Sequence, residues 1–321
     1  MVTSKIIATG RHVPDFKVTN TDLSKIMDTN DEWIQKRTGI EARRFSDKST
    51  TYMATEAAFE ALASLDVETI DCIIVATYTP DTFIPTVANQ VRSNLGIKRS
   101  IPSFDINAAC SGFLYAFQNA HAFIKAEVYK RVLVIGADFN SRYLDFTDRS
   151  TAILFGDGAG AIVMEAAPSG TIDCVIGGET DVLASITAPN LTDHPNPLLP
   201  RDLIAHEHFK MKGSDVFKFA VKTMETEINA ILQKHKLSMD DIDYVVSHQA
   251  NQRILDSAAR ALKVPTDKFL SNVKGIGNTS AGSVPILLDE AVKDGRIQPG
   301  MKIIMMAFGG GLTYGTALLD I

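Results

Sequence analysis

The sequence predicts an α/β fold assembled twice from one plan, with two similar halves whose mixed, mostly parallel sheets are covered by helices. Three observations predict it. Short apolar runs rich in β-branched residues alternate with longer helical stretches along the chain. That is the pattern of strands buried on both faces and joined by crossover helices. The runs also recur in pairs: Ile70–Ala76 is echoed by Ile242–Val246, Arg131–Ala137 by Met301–Ala307, and the glycine loop 155–161 by 308–311. Finally, the spacing between partners varies, which fits a diverged duplication with separate insertions better than a strict repeat.

Each element follows from its local pattern. Helical stretches at about 51–65 and 214–236 lead through polar linkers into the strands Ile70–Ala76 and Ile242–Val246. Both strands run into a loop and a further helix carrying Gln and Asn, at about 85–95 and 250–262. Helices at about 111–127 and 282–294 precede the strands Arg131–Ala137 and Met301–Ala307. The loops Phe155–Ala161 and Phe308–Gly311 open into the apolar strands 161–165 and 316–319. The segment 167–212 carries Pro168, Pro189, Pro195, Pro197 and Pro200 and fits neither half. It reads as connecting strands and loops. The expected division is residues 1–170 and 171–321.

The 321 residues are 45% hydrophobic and 22% charged, with 21 Gly and 12 Pro, which excludes collagen-like, low-complexity and disordered classes. Against 38 acidic residues stand 32 basic ones, a net charge of -6. A generally basic, nucleic-acid-binding surface is therefore not expected. The first ten residues lack a charged region followed by a long apolar run, and no stretch of 18 apolar residues occurs, so the sequence predicts a cytoplasmic protein without a membrane span. Cys72, Cys110 and Cys174 cannot all pair, so no disulfide framework is expected and one thiol is free for chemistry.

Cys110 is the candidate nucleophile. It lies in Asn107-Ala-Ala-Cys-Ser-Gly112, where a short strand meets small residues and a helix begins. Free N–H groups at a helix start favour thiolate over thiol. Local context alone leaves Cys110 open between this role and that of a small buried residue. Cys72 and Cys174 lie inside apolar runs and read as core. His248, in Ser247-His-Gln-Ala-Asn251, directly follows a buried strand, and the carboxyl ends of strands carry the chemistry of open α/β sheets. Asn278 lies in Gly275-Ile-Gly-Asn-Thr-Ser-Ala-Gly-Ser283, a small-residue turn placed before a helix as the Cys110 turn is in the first half. If the halves are related by a pseudo-twofold, the two turns meet.

Gly156-Asp-Gly-Ala-Gly160 is not a dinucleotide loop, because it leads into a strand and not a helix. Gly309–Gly311 reads likewise as a turn that allows close backbone approach. His206-Glu-His208, with His194 some way before it, has no spacing of a structural zinc site and reads as a solvated loop, so no metal is expected.

Together these motifs resemble the β-ketoacyl-acyl-carrier-protein synthase III family of the thiolase superfamily. The resemblance runs end to end and rests on Asp31-Glu-Trp-Ile-Gln-Lys-Arg-Thr-Gly-Ile40, Ala108-Ala-Cys-Ser-Gly112, Gly156–Ala161, His248-Gln-Ala-Asn251, Gly277-Asn-Thr-Ser280 and Phe308–Gly311. It implies a thiolase-like five-layered αβαβα fold and a homodimer. It implies that Cys110 takes an acyl group from an acyl-CoA, with the N–H groups of Cys110 and Gly310 as oxyanion hole. Malonyl-acyl-carrier protein then loses carbon dioxide, and His248 and Asn278 donate to its thioester carbonyl. No permanently bound cofactor is implied. Trp33, the only tryptophan, and Arg149 would sandwich the CoA adenine, with Arg37 near a phosphate. Ile84 matches a residue that bounds the acyl pocket of the other subunit. Lys218, Arg253 and Arg260 match or adjoin positions for the acidic carrier protein, and Lys222 shares a helix face with Lys218.

Ile84 stands where a Phe is usual, and 177–206 departs from the family pattern, so the primer is not fixed. A thiolase would carry a second cysteine near 309–311, and a hydroxymethylglutaryl-CoA synthase a glutamate after Ala76. Neither is present. The alternatives left are a condensing enzyme of specialised metabolism, an acyltransferase with another acceptor, and a non-catalytic acyl-CoA-binding module.

Overall fold

The computed structural model describes residues 2–182, 184–188 and 208–321. Two mixed sheets carry the chain. The first runs in the order Thr3–His12, Gly158–Ala167, Arg131–Asp138, Cys72–Ala76, Ser103–Ile106. The second runs Thr171–Gly178, Thr313–Asp320, Lys302–Gly309, Tyr244–Ser247. From the first strand inward the directions match: antiparallel, antiparallel, then parallel. The pairs read from the sequence therefore occupy equivalent places. Where the first sheet adds Ser103–Ile106, the second has a single parallel bridge between Val245 and Phe269.

The sheets are more antiparallel than alternation alone predicts. Two of four pairings are parallel in the first sheet and one of three in the second. One antiparallel pairing in each sheet comes from the glycine loops. After Arg131–Asp138 and after Lys302–Gly309 the chain returns antiparallel beside the strand it has just left, with no crossover helix.

Helices fill three layers. Thr50–Ala61 and Val87–Asn94 cover the outer face of the first sheet, and Gly213–His235 and Gln252–Ala261 the outer face of the second. Gly112–Lys125 and Ser283–Lys293 touch both sheets and form the middle layer. The order is αβαβα. The middle core packs Phe113, Leu114, Phe117, Val284 and Leu287 against Ile74, Val134, Ile303 and Met305. Both central helices are apolar on more than one face, which is what a helix between two sheets requires. Cys72 and Cys174 are buried in this core.

Of the Pro-rich segment, the described part contributes Thr171–Gly178 and a short ladder of Ile186–Thr187 with Lys210–Met211. His194, His206 and most of the 177–206 departure lie outside the described residues. Among the described residues there is no group of three or more metal-ligating side chains, and no helix long and apolar enough to cross a membrane.

Candidate active site

Two short turns, Ala109–Ser111 and Ser280–Gly282, meet where the central helices begin. They are built alike. Asn107 Oδ1 accepts the Ala109 N–H at 3.1 Å, and Asn278 Oδ1 accepts the Ser280 N–H at 2.8 Å. Ala109 and Ser280 then take left-handed φ angles of 47° and 51°. The equivalent of Asn278 is thus Asn107, and the equivalent of Cys110 is Ala281. The turns match as the sequence predicts, while the two candidate side chains occupy different steps of them. Because its oxygen is tied to Ser280, Asn278 presents the amide nitrogen Nδ2 as the group free to donate.

Cys110 is 9% exposed. Its sulfur accepts a hydrogen bond from Ser280 Oγ at 3.4 Å. Burial pushes the thiol up to about 12, the Asp138 charge adds to this, and the Ser280 hydroxyl opposes it. At the helix start burial opposes the N–H groups that favour thiolate, and burial is the larger effect. The attack then has to be coupled to removal of the thiol proton. Gly309 runs directly beside this residue, so close that a Cβ on it would lie 2.8 Å from the Cys110 nitrogen. Only glycine fits there.

His248 extends the Tyr244–Ser247 strand, with its N–H donating to Met306 O at 2.7 Å. It is 1% exposed, and burial alone holds its pKa down at about 3, so the ring is neutral. Nδ1 lies 2.7 Å from Ser283 Oγ at the start of the Ser283–Lys293 helix. The ring edge packs on Phe308 at 5.1 Å between centroids. Gln249 fixes the loop through bonds to Ser247 O, Leu270 O and the Asn272 N–H.

The glycine loop of the first half serves this turn. Gly156 N–H donates to Asn278 O, and Asn278 N–H to Leu154 O, both at 2.9 Å. A Cβ on Gly156 would lie 2.3 Å from Ile276 O. Behind both turns sits Asp138, fully buried at the carboxyl end of its strand. It accepts from Thr77 Oγ1, Tyr78 N, Thr79 Oγ1 and Ala281 N at 3.0–3.1 Å, and burial raises its pKa to about 6.

A cavity of about 670 Å³ joins Cys110, His248 and Asn278 to the surface. Trp33, Arg37, Arg149, Lys218 and Arg253 line it too. The Arg37 and Arg149 guanidinium carbons lie 5.2 and 4.9 Å from the Trp33 ring centroid, and Arg149 also donates to Asp28 O at 2.5 Å. Arg253 lies 5.9 Å over Phe217. Three sequence-derived candidates stand apart. Gly310 is one residue beyond the lining, next to Ala109 and Ile186. Arg260 is exposed further along the Gln252–Ala261 helix. Ile84 is 91% exposed on a surface loop beside Phe83. Sequence reading gave no role to Ser280, Ser283 or Asp138. Asp138 had a signal, since it ends a buried strand on the side where chemistry collects.

Two family models match this chain: 3-oxoacyl-[acyl-carrier-protein] synthase III over residues 104–179, and the C-terminal part of the same enzyme over 232–321. The chain belongs to that family. It is 42% identical over 319 residues to the β-ketoacyl-[acyl-carrier-protein] synthase III of Clostridium acetobutylicum, covering 98% of each chain. It is 44% identical over 319 residues to that of Aquifex aeolicus, covering 98% of this chain and 99% of the other. The crystal structure of the Aquifex aeolicus 3-oxoacyl-[acyl-carrier-protein] synthase III superposes with a TM-score of 0.90 at 42% identity, over 99% of this chain and all of the other. The priming β-ketosynthase of the R1128 polyketide pathway superposes at 0.89 with 31% identity, over 99% and 96%. A synthase III is a condensing enzyme of the acyltransferase type with the thiolase fold, and the five layers and paired turns described above are that fold in this chain.

Proposed function

We propose that this synthase III condenses an acyl-CoA primer with malonyl-acyl-carrier protein, and that Cys110, His248 and Asn278 carry the chemistry. The observation that supports it most is the meeting of these three side chains, drawn from both halves, in one cavity edged by Trp33 and Arg149. Cys110 Sγ attacks the acyl thioester, CoA leaves, and the acyl group stays on the sulfur. The N–H groups of Cys110 and Gly310 hold the oxyanion, a donor of this kind being worth roughly 3–4 kcal/mol. Malonyl-carrier protein then binds. His248 and Asn278 donate to its thioester carbonyl as the carboxylate departs as carbon dioxide, and the resulting carbanion attacks the acyl-Cys110 carbonyl and releases Cys110 as a thiolate, which takes up a proton from solvent to restore the thiol. Kinetics are ping-pong. No permanently bound cofactor is needed.

Trp33 and Arg149 offer flat faces to an adenine, and Arg37 offers charge to phosphate. Lys218, Arg253 and Arg260 give a locally basic edge for an acidic carrier protein on a chain of net charge -6. Ile84 and Phe83 are exposed apolar side chains, which suits the partner of a homodimer whose acyl pocket Ile84 bounds. A division after residue 170 is supported by the sheets, since the first sheet's strands precede that point and the second sheet's follow it. The place of action is the cytoplasm. Likeness to a priming ketosynthase supports a second reading, a condensation that starts a specialised product.

The test is release of carbon dioxide from malonyl-carrier protein in the presence of an acyl-CoA panel. Release together with a 3-oxoacyl-carrier product is the expected result. Acyl transfer to another acceptor without carbon dioxide overturns it.

A further inference from the structure

We propose that Ser283 is a positioning residue that sets which ring nitrogen of His248 carries the proton, and so which half-reaction the imidazole serves. The inference rests on the condensation proposed above. His248 is buried, and no charged group contributes to its lowered pKa. A neutral imidazole has one donor nitrogen and one acceptor nitrogen. Among the described residues Ser283 Oγ, at 2.7 Å, is the hydrogen-bond partner of Nδ1. Nε2 is therefore the nitrogen left to the cavity that His248 lines.

The Ser283 hydroxyl has a single proton and three neighbours. The Gln249 N–H, at 3.4 Å, can only donate to it. Ser280 O, at 2.8 Å, can only accept from it. Nδ1 can do either. With the hydroxyl proton on Ser280 O, Ser283 accepts from Nδ1–H, and Nε2 offers a lone pair. With the hydroxyl turned to Nδ1, Nε2 carries the proton and donates.

The two half-reactions need opposite forms. In acylation the Cys110 proton passes to Nε2 as the sulfur–acyl bond forms and the acyl–CoA bond breaks. The departing CoA sulfur takes that proton, and the ring returns to neutral. In condensation no proton enters the ring, and Nε2–H only donates to the thioester oxygen. The ring reaches that form by exchange with solvent protons between half-reactions, and Ser283 holds it by turning its proton to Nδ1.

Ser283→Ala removes the acceptor for Nδ1–H. A buried N–H without a partner is disfavoured more than a buried lone pair, and the freed Gln249 N–H points toward the same place. The variant is thus held in the Nε2–H form. We expect its Cys110 acylation by acetyl-, butyryl- and isobutyryl-CoA to slow by roughly 10²-fold, the scale of a lost general base. Carbon dioxide release from variant already acylated by long incubation should stay within about threefold of the unaltered enzyme, and Ser283→Thr, which keeps the hydroxyl, should restore acylation. Equal losses in both half-reactions, no loss in either, or a loss confined to condensation overturn the proposal. Ring-¹⁵N spectra of the unaltered protein test it without any variant: Nδ1–H is expected in the free enzyme, and Nε2–H alone overturns it. If the unaltered enzyme neither acylates nor releases carbon dioxide, it is the condensation reading that falls.

Discussion

Ser280 Oγ donates to Cys110 Sγ at 3.4 Å, so a residue of the second half holds the sulfur of the first. The same Ser280 gives its N–H to Asn278 Oδ1 and accepts the Ser283 hydroxyl at its carbonyl, which links it to His248. One residue with a left-handed φ of 51° thus touches the surroundings of all three side chains proposed to carry the chemistry. Ser280→Ala should raise the Cys110 pKa further and slow iodoacetamide alkylation near neutral pH. Loss of one hydrogen bond to a charged sulfur costs about 1.5–3 kcal/mol, or roughly 10- to 150-fold in rate. Alkylation followed across pH checks it. An unchanged profile contradicts the contact.

Gly309→Ala places a methyl group 2.8 Å from the Cys110 nitrogen, against backbone that cannot swing aside. Acylation should fall by roughly 10²-fold, the scale of a misplaced reacting group, with CoA affinity retained. Gly275→Ala meets nothing within 4 Å and serves as control. Acylation rate and CoA binding measured separately decide between a local and a global effect.

Trp33→Ala removes the face over which Arg37 and Arg149 lie at 5.2 and 4.9 Å. Base–aromatic stacking is worth about 1–3 kcal/mol, so KM for acyl-CoA should rise roughly 5- to 150-fold while kcat changes little. A fall in kcat at constant KM argues against the CoA-stacking role.

Asp138 has a folded pKa of about 6 against an ordinary 3.8. Its contribution to stability is full below pH 3.8 and is lost as pH rises through about 6. Two pH units correspond to about 3 kcal/mol. Relative to Asp138→Asn, the unaltered protein should therefore lose up to about 3 kcal/mol of stability between pH 4 and pH 7. Urea unfolding of both proteins across that range measures the difference. A constant gap contradicts the raised pKa.

Much of the fold was legible because a buried strand writes its burial into its composition. Cys72–Ala76 and Lys302–Gly309 are apolar runs, and the paired order of the sheets follows from the echoes. Antiparallel returns were harder to read, since a strand's direction depends on what its loop does. Cys110 and His248 stood out by residue type and place. The ionisation of Cys110 did not, because burial and the nearby Asp138 are set by chain segments far away in sequence. Ser280 and Ser283 looked like small turn residues; the Ser280 bond to Cys110 exists only once the halves meet, and the Ser283 bond to His248 only once the second half has folded. The step-by-step match of Asn278 with Asn107, not with Cys110, needed the hydrogen bonds of both turns.

Cys110 is expected to carry the acyl group between the two half-reactions. The direct measurement is the mass of the Cys110 peptide after the protein meets a mixed pool of acyl-CoA thioesters. The expected result is one acyl adduct, on Cys110 and not on Cys72 or Cys174, absent from Cys110→Ser and discharged by malonyl-carrier protein. No adduct from any member of the pool, or an adduct that persists in Cys110→Ser, would overturn this role for Cys110.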